Sequence, residues 1–115
     1  MIFSVILLFG MAVGLGAFLI FMGFRYKRGS RALGLTHAGI AMAALIMLIV
    51  HIFRDATIHK LYNSAAILFV MAMAGGLVLL VLRKGTEPPV MFVVFIHAVM
   101  ALLALTLLTV GYLHR

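Results

Sequence analysis

The chain has no cysteine, no tryptophan and only two acidic residues, Asp55 and Glu87, among 115. The missing thiols exclude a disulfide framework and any thiolate metal site. With no acid inside an apolar run and no Ser–His–acid set, hydrolytic chemistry has nothing to work with. Charge is scarce as well: 10% of residues are charged and 67% are hydrophobic. A soluble domain carries about 25% charged and about 45–50% apolar residues, so a soluble domain is excluded. The same figures exclude disorder. The formal net charge is +7. These cations sit between apolar runs, where positive charge orients a membrane protein, and no nucleic-acid partner is expected.

What is present is apolar sequence in four long windows. A membrane-crossing helix needs roughly 20 mostly apolar residues. Residues 2–24, 33–53, 61–82 and 90–113 each qualify, and together they hold 90 of the 115 residues. The fold expected is an all-α, up-down four-helix bundle in a lipid bilayer, a single transmembrane domain over residues 1–115. Pro88 and Pro89 prepare the start of the fourth helix. The first window lacks the positive n-region of a secretory signal and reads as a retained span.

Topology follows from Lys and Arg asymmetry. Arg25, Lys27, Arg28 and Arg31 lie in the first connection, and Arg83 and Lys84 in the third. Arg54, Lys60 and Arg115 lie on the other side. The six-charge side is expected to be cytoplasmic. In a bacterial inner membrane both termini would then face the periplasm.

The two halves of the chain resemble each other. With an offset of 60 residues, positions 4–53 and 64–113 share 14 identical pairs of 50. About 4 are expected by chance in so biased a composition. Each half is a helical hairpin, so the repeats run the same way through the membrane, about a pseudo-two-fold axis along its normal. Among the matched pairs are Phe9/Phe69, Gly16/Gly76 and His37/His97. Helices two and four are then equivalent, with His37 and His97 expected at one depth.

Offsets of 4 and 7 along a helix return to one face. Below His37 these are Ala41 and Ala44, and below His97 they are Ala101 and Ala104. Ala12–Gly16 and Ala72–Gly76 add small-xxx-small patterns on the other helix pair. An intramembrane imidazole is a functional candidate by default. Two at equal depth, flanked by small residues, suit iron held in a planar macrocycle, with His37 and His97 as axial ligands. Ala41, Ala101, Gly16 and Gly76 would leave space for the ring, and the cations of the first and third connections would hold its propionates. Structural reading of the same residues makes each His interhelical glue, bonded to a carbonyl or to Thr36, Thr106 or Thr109.

His51 and His114 form a weaker second pair near the opposite membrane face, best read as solvated interfacial residues. His59 reads as a loop residue. Nine methionines, with Met11 and Met71 matched, admit a copper-binding reading beside the imidazoles, though Met is more simply an adaptable packing residue.

The histidines and their small neighbours resemble those of membrane b-type cytochromes, including the cytochrome b561-like group. The resemblance rests on His37, Ala41, Ala44 and His51 in helix two and on His97, Ala101 and Ala104 in helix four. It implies haem b and electron transfer with a quinone or a partner membrane subunit, and a homo-oligomer is compatible with it. The chain is also similar to small four-span bacterial proteins with a Leu-x-His-Ala segment, which implies a fold only. It departs from small multidrug exporters, which need a membrane-embedded carboxylate, and from quinone-reducing disulfide enzymes, which need Cys. The polar mid-span residues of fluoride-channel-type proteins are missing too. The expected function is therefore a small redox subunit. Its alternatives are a non-enzymatic structural or assembly subunit of a larger complex, and a His- and Met-lined metal-ion binder.

Overall fold

A computed structural model describes residues 2–25, 31–55, 59–82 and 91–114. It contains four helices: α1 (Ile2–Arg25), α2 (Arg31–Arg54), α3 (Lys60–Leu82) and α4 (Met91–Leu113). Each ends within two residues of the corresponding apolar window. Twenty-four residues at about 1.5 Å rise give roughly 36 Å, enough to cross a hydrocarbon core of about 30 Å. All four are long and apolar enough to span a membrane. Lys27, Arg28, Arg83, Lys84, Glu87, Pro88, Pro89 and Arg115 lie outside the described residues.

The helices close into a ring in chain order. α1 packs on α2, α2 on α3, α3 on α4, and α4 back on α1. The bundle measures 46 × 22 × 21 Å. Its outer face is as apolar as its inside: Phe53 is 85% exposed, Val81 81% and Phe92 72%. Such helices lack the polar outer stripe of a soluble bundle, and the bilayer is the solvent that accepts them. Thr36, Thr106 and Thr109 each turn the hydroxyl back to the carbonyl four residues earlier, at 2.8 Å. That removes a polar group from lipid at no interhelical cost.

The interior is divided in two along its length. In the half near the second connection, Val5, Phe9, Leu48, Tyr62, Ala65, Phe69, Ala104 and Leu108 form one packed core. Leu48 and Leu108 are fully buried there. Phe9 and Phe69 end this core by stacking across the α1–α3 diagonal, with ring centroids 3.5 Å apart and planes 2° apart. Beyond them the bundle is hollow.

Candidate functional site

Small side chains cannot fill the centre of a four-helix ring. In the other half, α1 and α3 present Ala12, Gly16, Ala72 and Gly76 inward, and α2 and α4 present Ala38, Ala41, Ala98 and Ala101. They surround a cavity of about 350 Å³, with Phe9 and Phe69 at one end. Gly34, Leu80 and Val94 line it toward the first and third connections. Its polar side chains are the two imidazoles, His37 and His97. The rings stand 6.1 Å apart between centroids, with planes at 77°. The histidines singled out by their 60-residue offset are thus neighbours across the α2–α4 diagonal.

Each imidazole is held in the same way. His37 Nδ1 lies 2.6 Å from the carbonyl oxygen of Ala12, and His97 Nδ1 lies 2.6 Å from that of Ala72. A carbonyl only accepts, so Nδ1 donates in both rings, and the neutral imidazole carries its lone pair on Nε2. The acceptors are available because a helical carbonyl has a second lone pair beyond its ladder bond. Among the described residues neither imidazole bonds a threonine hydroxyl; Thr36, Thr106 and Thr109 bond their own helices.

The glycines are used by the imidazoles. A Cβ on Gly16 would stand 3.0 Å from His37 Cε1, and one on Gly76 would stand 3.2 Å from His97 Cε1. The two rings therefore lie directly against the α1 and α3 backbones. Ala41 and Ala101 line the cavity one turn below the histidines.

The remaining histidines occupy the far end. His59 does not behave as a plain loop residue: it stacks on Tyr62 with centroids 3.9 Å apart and planes at 11°. Its Nδ1 is buried without a hydrogen-bond partner among the described residues. His51 meets the edge of the same Tyr62 ring at 5.8 Å and 67°. Gly111 is the notch that receives this cluster, since a Cβ there would lie 2.9 Å from Tyr62 and 3.1 Å from His59. His114 is exposed in the turn after α4. Sequence reasoning missed this cluster because its members do not recur: the offset pairs His51 with Gly111 and Tyr62 with Ile2. Breaks in the repeat were the available signal.

No family model, no curated protein and no solved structure matches the chain. Its chemistry has to be read from the site. In their neutral form the two imidazoles offer Nε2 lone pairs in an apolar cavity, a pair of Lewis bases. Among the described residues, no group of three His, Cys, Asp or Glu stands together to hold a bare metal ion.

Proposed function

We propose that the chain is a small b-type cytochrome-like membrane subunit in which His37 and His97 hold one haem between α2 and α4. The observation that carries this reading is the matched commitment of Nδ1 to a backbone carbonyl in both rings. Metal-bound histidines usually donate their other ring nitrogen in this way, which fixes the tautomer and raises ligand basicity. Spacing favours it as well. Two imidazoles that share one metal, each nitrogen about 2.0–2.1 Å from it, have ring centroids roughly 5–6 Å apart, according to the angle at the metal. The observed separation is 6.1 Å. Two protein donors leave most of a divalent ion's coordination shell open, whereas iron carried in a macrocycle needs only two from the protein. The cavity, at about 350 Å³, falls in the range of cofactor sites, about 300–1,000 Å³.

A bound haem supplies one-electron chemistry. The chain's own residues do the rest. Ala12 and Ala72 would orient the two imidazoles through their carbonyls. Gly16 and Gly76 let those rings sit against the backbone. The Phe9–Phe69 stack closes the cavity from the packed core, and the apolar lining keeps water out. Electrons would pass to a quinone or a partner membrane subunit. Arg25 and Arg31, at the α1 and α2 ends on the cavity side, belong to the cationic group suited to the propionates. The paired His–carbonyl bonds also support a tandem repeat about an axis along the membrane normal. The cation bias supports outward-facing termini, periplasmic if the membrane is a bacterial inner membrane.

The 2.6 Å bonds favour a second reading. Each ties one hairpin together, α1 to α2 and α3 to α4, as a non-enzymatic structural subunit would require. That role uses one nitrogen of each ring and leaves Nε2 and the cavity without a purpose.

A reduced-minus-oxidised visible spectrum separates the two. Protein purified from haem-replete cells should show a sharp α-band that is absent in both His37→Ala and His97→Ala. A colourless, folded wild type that co-purifies with another membrane protein would establish the structural reading instead.

A further inference from the structure

One of the nine methionines stands apart from the rest. Met11 and Met71, which the repeat pairs, are 58% and 51% exposed on the outer face of the bundle. Met73 instead lines the cavity, and so does Val13, its counterpart at the 60-residue offset. The two-fold is broken at this wall position, where α3 offers a thioether and α1 a branched hydrocarbon. The cavity wall therefore carries three donors of lone pairs: His37 Nε2, His97 Nε2 and Met73 Sδ. With each Nδ1 committed to its carbonyl, neither Nε2 has a hydrogen-bond partner among the described residues. No carboxylate lines the cavity among those residues either.

We infer that the haem-free chain binds one soft monovalent cation, Cu+ or its analogue Ag+, between His37 Nε2 and His97 Nε2, with Met73 Sδ as a weaker third donor. Ion and macrocycle are alternative occupants of the same two imidazoles, so the inference stands without the haem reading. Donor chemistry selects the ion: imidazole and thioether together suit Cu+. Donor number agrees, because a closed-shell monovalent ion is satisfied by two or three ligands, whereas Zn2+ takes four. Charge decides in the same direction. The Born cost of desolvation rises with the square of the charge, so a divalent ion costs about four times as much here, with no carboxylate to offset it. The carbonyls of Ala12 and Ala72 assist from behind by making each Nε2 more basic. The 6.1 Å between ring centroids lies at the wide end of the spacing for a shared metal, which suits the near-linear coordination that such ions prefer.

The test uses the full chain, purified without haem in detergent and titrated with Ag+, which has the charge and filled d shell of Cu+ but stays redox-inert. Silver nuclei have spin one-half, so a nitrogen bound to silver is split in the ¹⁵N-imidazole NMR spectrum. The Nε2 signals of His37 and His97 should both split, and both Nδ1–H signals should persist because their carbonyl bonds are kept. Zn2+ at the same concentration should move neither Nε2 signal. Splitting confined to one of the two rings, or to His51, His59 or His114, overturns the shared site. Displacement of Ag+ by Zn2+ overturns the choice of a monovalent ion.

Affinity is read by competition with a coloured Cu+ chelator under anaerobic, reducing conditions. Met73→Val, which gives α3 the residue that α1 already carries, should keep the fold and weaken Cu+ binding about tenfold, the low end of what a metal site loses with a supporting contact. An unchanged affinity overturns the part assigned to the thioether. The two occupants are told apart by loading each in turn. A chain that takes up haem but neither Ag+ nor Cu+ overturns this inference and leaves the proposed function standing. A chain that binds the ions but no haem does the reverse.

Discussion

Phe9 and Phe69 lie face to face across the bundle interior, 60 residues apart in sequence and 3.5 Å apart between ring centroids. They join α1 to α3, which are diagonal partners in the ring. The stack is the boundary between packed core and cavity. Replacing Phe69 with Ala should merge the cavity with the space beside Leu48 and Leu108. A buried Phe→Ala change costs about 3–5 kcal/mol, and that loss is expected here in a denaturant titration of the detergent-solubilised protein. Phe69→Leu should recover more than half of it.

Gly16→Ala should be more disruptive than Gly76→Ala. The added carbon would stand 3.0 Å from His37 in the first case and 3.2 Å from His97 in the second. An imidazole held by a short hydrogen bond is rigid, so the ring must shift and the Ala12 bond must lengthen. Overpacking of this kind costs about 1–3 kcal/mol. In ¹⁵N NMR the His37 Nδ1–H signal should move upfield in Gly16→Ala and hold its place in Gly39→Ala, where a Cβ meets nothing within 4 Å.

Gly111→Ala should destabilise the protein without altering the histidine pair. The methyl group would overlap Tyr62, which is 5% exposed and has no room to retreat. Expected is a loss of about 1–3 kcal/mol in the same denaturant titration. Any spectrum that depends on His37 and His97 should keep its shape. Disturbance of that spectrum by Gly111→Ala would mean that the two ends of the bundle are mechanically coupled.

His59→Phe should be neutral or stabilising. The aromatic ring keeps the stack on Tyr62, and the substitution removes a buried nitrogen that has no partner among the described residues. Relieving an unsatisfied buried group is worth about 1–3 kcal/mol, less whatever strain the larger ring introduces. The change in melting temperature gives the answer directly.

Much of the bundle was legible in the sequence, and the reasons differ by residue. The four helices follow from apolar length, because lipid leaves the backbone few alternatives. His37 and His97 stood out because a polar residue rarely recurs in such a background. Their acceptors did not, since a backbone carbonyl carries no side-chain signature and Ala12 and Ala72 look like any small residue. Gly16 and Gly76 were read as room for a ligand, and the structure shows their missing Cβ atoms giving room to the imidazoles. Tyr62, His59 and Gly111 escaped notice because contacts across a helix pair leave no period within one helix.

The uneven filling of the bundle bears on what holds its outline. The half built around Leu48 and Leu108 gathers residues from all four helices. It clamps the chain at one end whatever occupies the other. The contacts of that half are therefore complete without anything in the cavity, and the outline of the bundle does not depend on its being filled.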